Sequence, residues 1–79
     1  MNKINQSEIL ETIEKYSNMG FYIEVLADGY KIEDVGICWR GYVSWKEDGE
    51  WVSDDCGCLP NWLDSFNLTV ELIEELINR

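Results

Sequence analysis

The sequence contains no histidine, so the side chain that most often serves as a general base near neutral pH is missing. It also lacks the glycine-rich phosphate loop, the Gly-x-Ser-x-Gly elbow and the HExxH zinc motif that mark common enzyme classes. A chain of 79 residues leaves little room for an enclosed pocket. These absences predict a protein that is not an enzyme, and we assign no catalytic residue.

Positive charge is scarce, above all in the second half of the chain. Six Lys and Arg residues face sixteen Asp and Glu residues, which gives a net charge of −10. Residues 47–79 hold nine of the acids and only one base, Arg79. Such a field repels nucleic acid and anionic membranes and attracts basic protein surfaces. We therefore expect neither of the first two as a direct partner, although solubility alone explains the charge equally well.

Long apolar runs are missing as well. The first twenty residues have no continuous apolar stretch of the kind found in signal peptides, and no run is long enough to span a bilayer. This pattern predicts a cytoplasmic protein. Three cysteines are an odd number, and in a reducing compartment they are expected to stay free thiols.

The cysteines and the acids near them do not form a recognisable metal motif. Cys56 and Cys58 are one residue apart, whereas structural zinc sites commonly use Cys-x2–4-Cys pairs and four ligands. With Cys38 as the third thiol, an aspartate would have to supply the fourth ligand. The acids of 47–55 lack the spacing of a calcium-binding EF-hand loop. We expect no metal and no cofactor, and thiols packed against Trp51 or Trp62.

Helical signals stand at both ends of the chain. Asn5 is a good N-cap with Glu8 three residues on, and Gly20 suits a left-handed C-terminal residue, so a helix is predicted over 6–18. Near the other end, Thr69 is the expected N-cap of a helix over 70–78. The two apolar stripes have helical spacing. They comprise Ile9, Ile13 and Tyr16 in the first helix, and Val70, Ile73, Leu76 and Ile77 in the second.

Between the helices the apolar period changes to two, which is typical of strands. Asp28-Gly29 is predicted to turn a first hairpin, Asp34-Val35-Gly36 to form a bend or bulge, and 46–50 to turn a second hairpin around Gly49. Trp45 and Trp51 flank that second turn as an expected cross-strand pair. The segment 54–67 is expected to be irregular, with one helical turn near its end.

The element order predicts a single α+β domain over 1–79, with an N-terminal helix, a three- to four-stranded antiparallel sheet and a C-terminal helix (αβββα-like). Both helices are expected on one sheet face, leaving the other face partly open. The alternation places Tyr22, Tyr42 and Arg40 on that open face, a composition enriched in protein interfaces. A cross-strand tyrosine pair that merely covers the sheet is an equally good interpretation.

A small, strongly acidic chain with helices around a short antiparallel sheet resembles phage-encoded inhibitors, among them anti-CRISPR and DNA-mimic proteins. The resemblance covers the whole chain and concerns size, charge and element order. It implies a non-catalytic protein that blocks a basic nucleic-acid-binding surface or a subunit surface of a host defence complex. It also implies that the protein acts in the cytoplasm of a host cell. The sequence does not determine the oligomeric state, and a homodimer is one alternative.

Carboxylates at spacings comparable to those of backbone phosphates would pair with the Lys and Arg residues that normally grip DNA or RNA. The candidate partner-binding acids are Glu47, Asp48, Glu50, Asp54 and Asp55, with Glu71, Glu74 and Glu75 as a second patch. The candidate apolar anchors are Tyr42, Trp51 and Trp62. Two alternative functions remain, namely an immunity protein or antitoxin that neutralises a basic toxin, and a binder of small ligands such as nucleotides.

Overall fold

The computed structural model describes residues 5–32 and 36–79 of the chain. A short 3-10 turn over Gln6–Glu8 leads into α1 (Ile9–Asn18). The strands β1 (Tyr22–Ile32), β2 (Gly36–Glu47) and β3 (Glu50–Leu59) follow, and α2 (Trp62–Ile77) ends the fold. The α+β class and the order of helix, antiparallel sheet and helix are therefore confirmed, with three strands in the sheet.

The helix predicted over 6–18 is present as the 3-10 turn followed by α1. Asn5 is the N-cap of the 3-10 turn, and its side chain accepts a hydrogen bond from the Ser7 amide at 3.1 Å. The N-cap of α1 itself is Glu8, whose side chain makes no capping hydrogen bond. At the other end the Phe21 amide donates to Tyr16 O and the Gly20 amide to Ser17 O. Gly20 has a φ of +94°. These bonds form a Schellman motif, which satisfies the last carbonyls of α1 and turns the chain into β1.

The three strands form an antiparallel sheet in the order β1-β2-β3. The prediction of a turn at Asp28-Gly29 is wrong, because β1 continues through these residues to Ile32 and pairs with Gly36. The register shifts between Asp28 and Lys31, so the glycine belongs to a bulge within the strand. Of the predicted bend at Asp34-Val35-Gly36, the first two residues lie outside the described residues, and Gly36 begins β2.

The second half of the chain is more regular than predicted. The segment 54–67 is not irregular, because β3 continues to Leu59 and α2 begins at Trp62. A bulge opposite Gly41 accommodates an extra residue of β3 at the Cys-Gly-Cys sequence, where Gly57 has a φ of +88°. Acids and glycine suggested a loop, but an edge strand tolerates both because one side faces solvent.

The N-cap of α2 is Asn61 rather than the predicted Thr69. The Asn61 side chain accepts a hydrogen bond from the Asp64 amide at 3.1 Å. Thr69 is fully buried inside the helix, where its hydroxyl donates to Ser65 O at 2.8 Å. Threonine is common at caps, but here the i−4 carbonyl is a sufficient partner for its hydroxyl. The helix thus starts eight residues earlier than predicted.

Both helices pack on one face of the sheet, as expected. The buried apolar cluster comprises Tyr16 from α1, Val43 from β2, and Phe66, Val70 and Ile73 from α2. Partly buried side chains of the same sheet face, including Ile23, Val25 and Trp45, pack against it. The alternate residues of these strands face away from the helices, and we call that side of the sheet the open face.

Polar contacts join α2 to both β2 and β3 inside this core. The Ser65 hydroxyl donates to Trp39 O at 2.7 Å, and the Cys56 thiol lies 3.2 Å from the Thr69 hydroxyl. Gly41 allows this close approach, since a Cβ there would stand 1.9 Å from Thr69 Oγ1 and 3.1 Å from Ser65 O. Small residues on both sides therefore fix the distance at which α2 packs on the sheet.

Candidate functional site

Several candidate residues lie in the short turn between β2 and β3. We call Glu47, Asp48, Gly49 and Glu50 the hairpin tip. Glu47 pairs with Glu50, and the two residues between them have positive φ values of 52° for Asp48 and 83° for Gly49. This is the pattern of a type I′ turn, in which glycine at the second position avoids backbone strain. All three acids are exposed, so the hairpin holds three carboxylates together at one end of the sheet.

Asp54 and Asp55 lie farther along β3, four and five residues after Glu50. At about 3.3 Å per residue, this places them roughly 13–16 Å from the tip. Asp55 faces the open face and forms an ion pair with Arg40 at 2.6 Å. Asp54 is exposed, and its carboxylate accepts a hydrogen bond from the Asp55 amide at 2.9 Å. The predicted acidic loop of 47–55 is therefore divided into a tip and a separate strand segment.

The acids of α2 form a third group, on the helix layer. Glu71 and Glu75 are exposed, whereas Glu74 accepts a hydrogen bond from the buried hydroxyl of Tyr16. Burial raises the pKa of Tyr16 to about 12, and the hydrogen bond and charge of Glu74 act in the same direction. Glu74 therefore joins the two helices, and Glu71 and Glu75 are the acids of this patch that face solvent.

The aromatic candidates differ in how much surface they present. Trp51 is 60% exposed on the open face, with its ring 5.5 Å from that of Tyr22 in an edge-to-face arrangement. Tyr42 is half-buried on the same face, opposite Asp55. Trp62 is also half-buried, and its ring stacks on Phe66 at 5.4 Å beside the core. Trp51 is thus the most accessible of the three predicted anchors.

The prediction that Trp45 and Trp51 form a cross-strand pair is wrong. Trp45 pairs with Val52 on the helix-covered face, and Trp51 pairs with Lys46 on the open face. The two-residue turn sets this register, which differs by one residue from the one that would bring the indoles together. Trp45 contacts Phe21 instead, with 6.2 Å between ring centroids.

Comparison with known proteins gives no relative. No family model, no curated protein and no solved structure matches the chain.

The cysteines take part in packing. Cys38 is buried, Cys56 and Cys58 are half-buried, and no disulfide joins any of these three described residues. The thiol of Cys56 lies under α2 against Thr69 and the carbonyls of Gly41 and Ser65. Among the side chains that the structure describes, those of residues 5–27 and 38–79, no three His, Cys, Asp or Glu side chains are grouped to hold a metal ion.

Neither described α-helix is long and apolar enough to cross a membrane.

Sequence reasoning missed a concave surface beside the hairpin tip. It is a cavity of about 350 Å3, lined by residues 19–22, Trp45, Lys46 and Trp51, and we call it the aromatic cavity. The density of aromatics near the turn hinted at it. Its location depends on where β1 begins relative to β2, which the sequence pattern does not specify.

Proposed function

We propose that the protein is a non-catalytic acidic inhibitor that binds the basic surface of a nucleic-acid-handling complex. In this respect it would act like the anti-CRISPR and related anti-defence proteins that it resembles. The observation that carries the proposal is the hairpin tip. Three exposed carboxylates are fixed by a two-residue turn, and the largely exposed Trp51 follows immediately. An acidic edge next to an aromatic anchor is the composition expected for contact with a basic protein.

The charges of the tip are available for a partner. Glu47, Asp48 and Glu50 are exposed, and within the described part of the chain none of them forms an ion pair. Lys46, the nearest base in sequence, has its ammonium 5.4 Å from the ring centroid of Trp51. Uncompensated carboxylates in a protein of net charge −10 create a field that speeds encounter with Lys- and Arg-rich surfaces.

Two further acidic groups extend this surface in different directions. Asp54 lies on the edge strand, and Glu71 and Glu75 lie on α2. By contrast, Asp55 and Glu74 already have partners in Arg40 and Tyr16. We therefore rank the tip first, the exposed acids of α2 and Asp54 second, and the two partnered acids last as contributors to binding.

Two variants with equal net charge test this proposal. E47Q/D48N/E50Q removes three carboxylates from the tip, and E8Q/E11Q/E14Q removes three exposed carboxylates from the α1 region, so each changes the net charge from −10 to −7. Each is immobilised and used to capture proteins from host extract at several salt concentrations. The wild type should retain a nucleic-acid-binding complex, with about tenfold weaker retention by the tip variant and little change for the control.

Two outcomes would count against this proposal. Equal loss in both variants would mean that total charge, and not the tip, determines binding. A captured complex that still binds its nucleic acid at full strength would show that the protein is not an inhibitor. Capture of a basic toxin instead would favour the immunity-protein alternative, which uses the same surface chemistry.

A further inference from the structure

The aromatic cavity exists because β2 extends beyond the start of β1. Pairing between the two strands begins at Tyr22 and Ser44, so Trp45 and Lys46 continue past the first residue of β1. The preceding residues do not fill this space. The amides of Met19, Gly20 and Phe21 donate to carbonyls of α1 in the Schellman turn, which directs the chain back towards the helix. A recess of about 350 Å3 remains between the turn and the hairpin.

The walls of the recess are aromatic and held by ring contacts. Phe21 lies against Trp45 with centroids 6.2 Å apart, and Tyr22 lies against Trp51 with centroids 5.5 Å apart. Such tilted and edge-to-face pairs stabilise a fixed arrangement of the rings. Met19, Tyr22 and Trp51 remain 49%, 48% and 60% exposed, so much of the apolar wall faces solvent. A concave apolar surface of this kind marks a binding site more often than scattered apolar residues do.

Among the described residues, the cavity lining carries no acid, although the chain has sixteen. The one charged residue among these lining residues is Lys46, whose ammonium lies 5.4 Å from the Trp51 ring centroid. A second cation in the recess would be repelled by Lys46, and a phosphate-bearing ligand would approach past the carboxylates of the tip. An uncharged aromatic group meets neither obstacle, and it gains from stacking and from the removal of apolar surface from water.

The tip and the cavity adjoin each other along the same hairpin. Lys46 precedes Glu47, and Trp51 follows Glu50. A partner that fits both surfaces would present an aromatic side chain between Lys or Arg residues. We propose that the aromatic cavity is the pocket for such a side chain on the basic partner. This inference rests on the proposed function and adds the residue class by which the partner is anchored.

Three short peptides test the pocket without the natural partner. The probes are the acetylated and amidated pentapeptides KKWKK, KKAKK and EEWEE, titrated into the 15N-labelled protein and followed by NMR. KKWKK should bind at least tenfold more tightly than either of the other two, because only KKWKK satisfies both the cavity and the tip. The largest shifts should occur at Met19, Tyr22 and the indole N–H of Trp51.

Matched substitutions locate the effect. W51A and M19A remove exposed side chains from the cavity wall, and each should weaken KKWKK about tenfold without changing KKAKK. L10A is the control, since Leu10 is 81% exposed on α1 and does not line the cavity. It should leave all three affinities unchanged. Proton spectra of each variant establish that it is folded before the titration.

Several outcomes would overturn the inference. Equal binding of KKWKK and KKAKK would leave the acidic tip as the site and remove the pocket, while the proposed function would stand. Equal binding of KKWKK and EEWEE at the cavity would remove the link to a basic partner. Tighter binding of AMP than of KKWKK at the same residues would identify a nucleotide site. If E47Q/D48N/E50Q failed to reduce partner capture, the proposed function would fall, whatever the peptides showed.

Discussion

Phe66 and Trp51 are aromatic side chains on opposite sides of the same sheet, and their surroundings differ. Phe66 is fully buried between α2 and the strands, whereas Trp51 is 60% exposed and contacts Tyr22 and Lys46. Phe66 belongs to α2, which covers one face of the sheet, whereas Trp51 belongs to β3 and points to the other face. The helix-covered face therefore provides the stability, and the open face with its hairpin presents the surface available for binding.

The largest expected effect tests this division directly. F66A should lower the free energy of unfolding by about 3–5 kcal/mol, because it removes a buried ring and leaves a cavity. W51A should cost about 1 kcal/mol, since mainly an exposed ring contact is lost. Urea unfolding followed by far-UV circular dichroism compares the two without relying on tryptophan fluorescence. Similar losses for both variants would show that the open face also holds the fold together.

The next largest expected effect is a loss of stability at alkaline pH, which arises from Tyr16 in the helix layer. The pKa of Tyr16 is raised from 10 to about 12, so folding favours its neutral form. The resulting stabilisation is complete below pH 10 and is lost as the pH rises through about 12. A shift of this size corresponds to roughly 2–3 kcal/mol.

Two phenylalanine variants separate this tyrosine from the others. Y16F should unfold with a shallower loss of stability between pH 10 and pH 12 than the wild type, even though it loses the bond to Glu74 at neutral pH. Y42F, on the open face, should keep the wild-type slope. Urea midpoints measured at one-unit intervals of pH give both slopes. An unchanged slope in Y16F would assign the alkaline transition to other groups.

The smallest expected effect concerns the ion pair of the open face. Arg40 and Asp55 are 2.6 Å apart, but their side chains are 29% and 39% exposed. D55N should therefore change stability by less than about 1 kcal/mol relative to D54N, which removes an equal charge from the neighbouring residue. The difference should shrink at high salt. A larger loss of stability that persists at high salt would mean that the Arg40–Asp55 ion pair stabilises the fold more than its exposure indicates.

The sequence predictions were correct where the structure depends on local interactions, and wrong where it depends on contacts between distant residues. Asn5 and Gly20 were identified correctly as helix boundaries, because capping depends on residues within one turn of each other. The hairpin at Gly49 was identified for the same reason. Asp28-Gly29 carries an equally strong local turn signal, yet it lies within β1 because β2 pairs with the strand on both sides of it.

The candidate site residues were named from the composition of the sequence, and the fold separates them into distinct groups. The acids of the tip were named from their charge and Trp51 from its aromatic side chain, and all four side chains are exposed in the structure. Glu74 has the same local sequence character as Glu71 and Glu75, but it faces Tyr16 across the two helices. The aromatic cavity could not be found in advance, since it is formed by two parts that are distant in the chain, residues 19–22 and the hairpin of β2 and β3.

The sequence by itself determined the α+β class, the two ends of the first helical segment at Asn5 and Gly20, the second hairpin and the strongly negative surface. Each of these depends on periodicity, on short-range hydrogen bonds or on total charge. Only the tertiary structure decided the length of β3, the start of α2 and which acids and aromatics remain exposed. Those features depend on strand register and on the close approach of α2 at Gly41, which are set by contacts between distant residues.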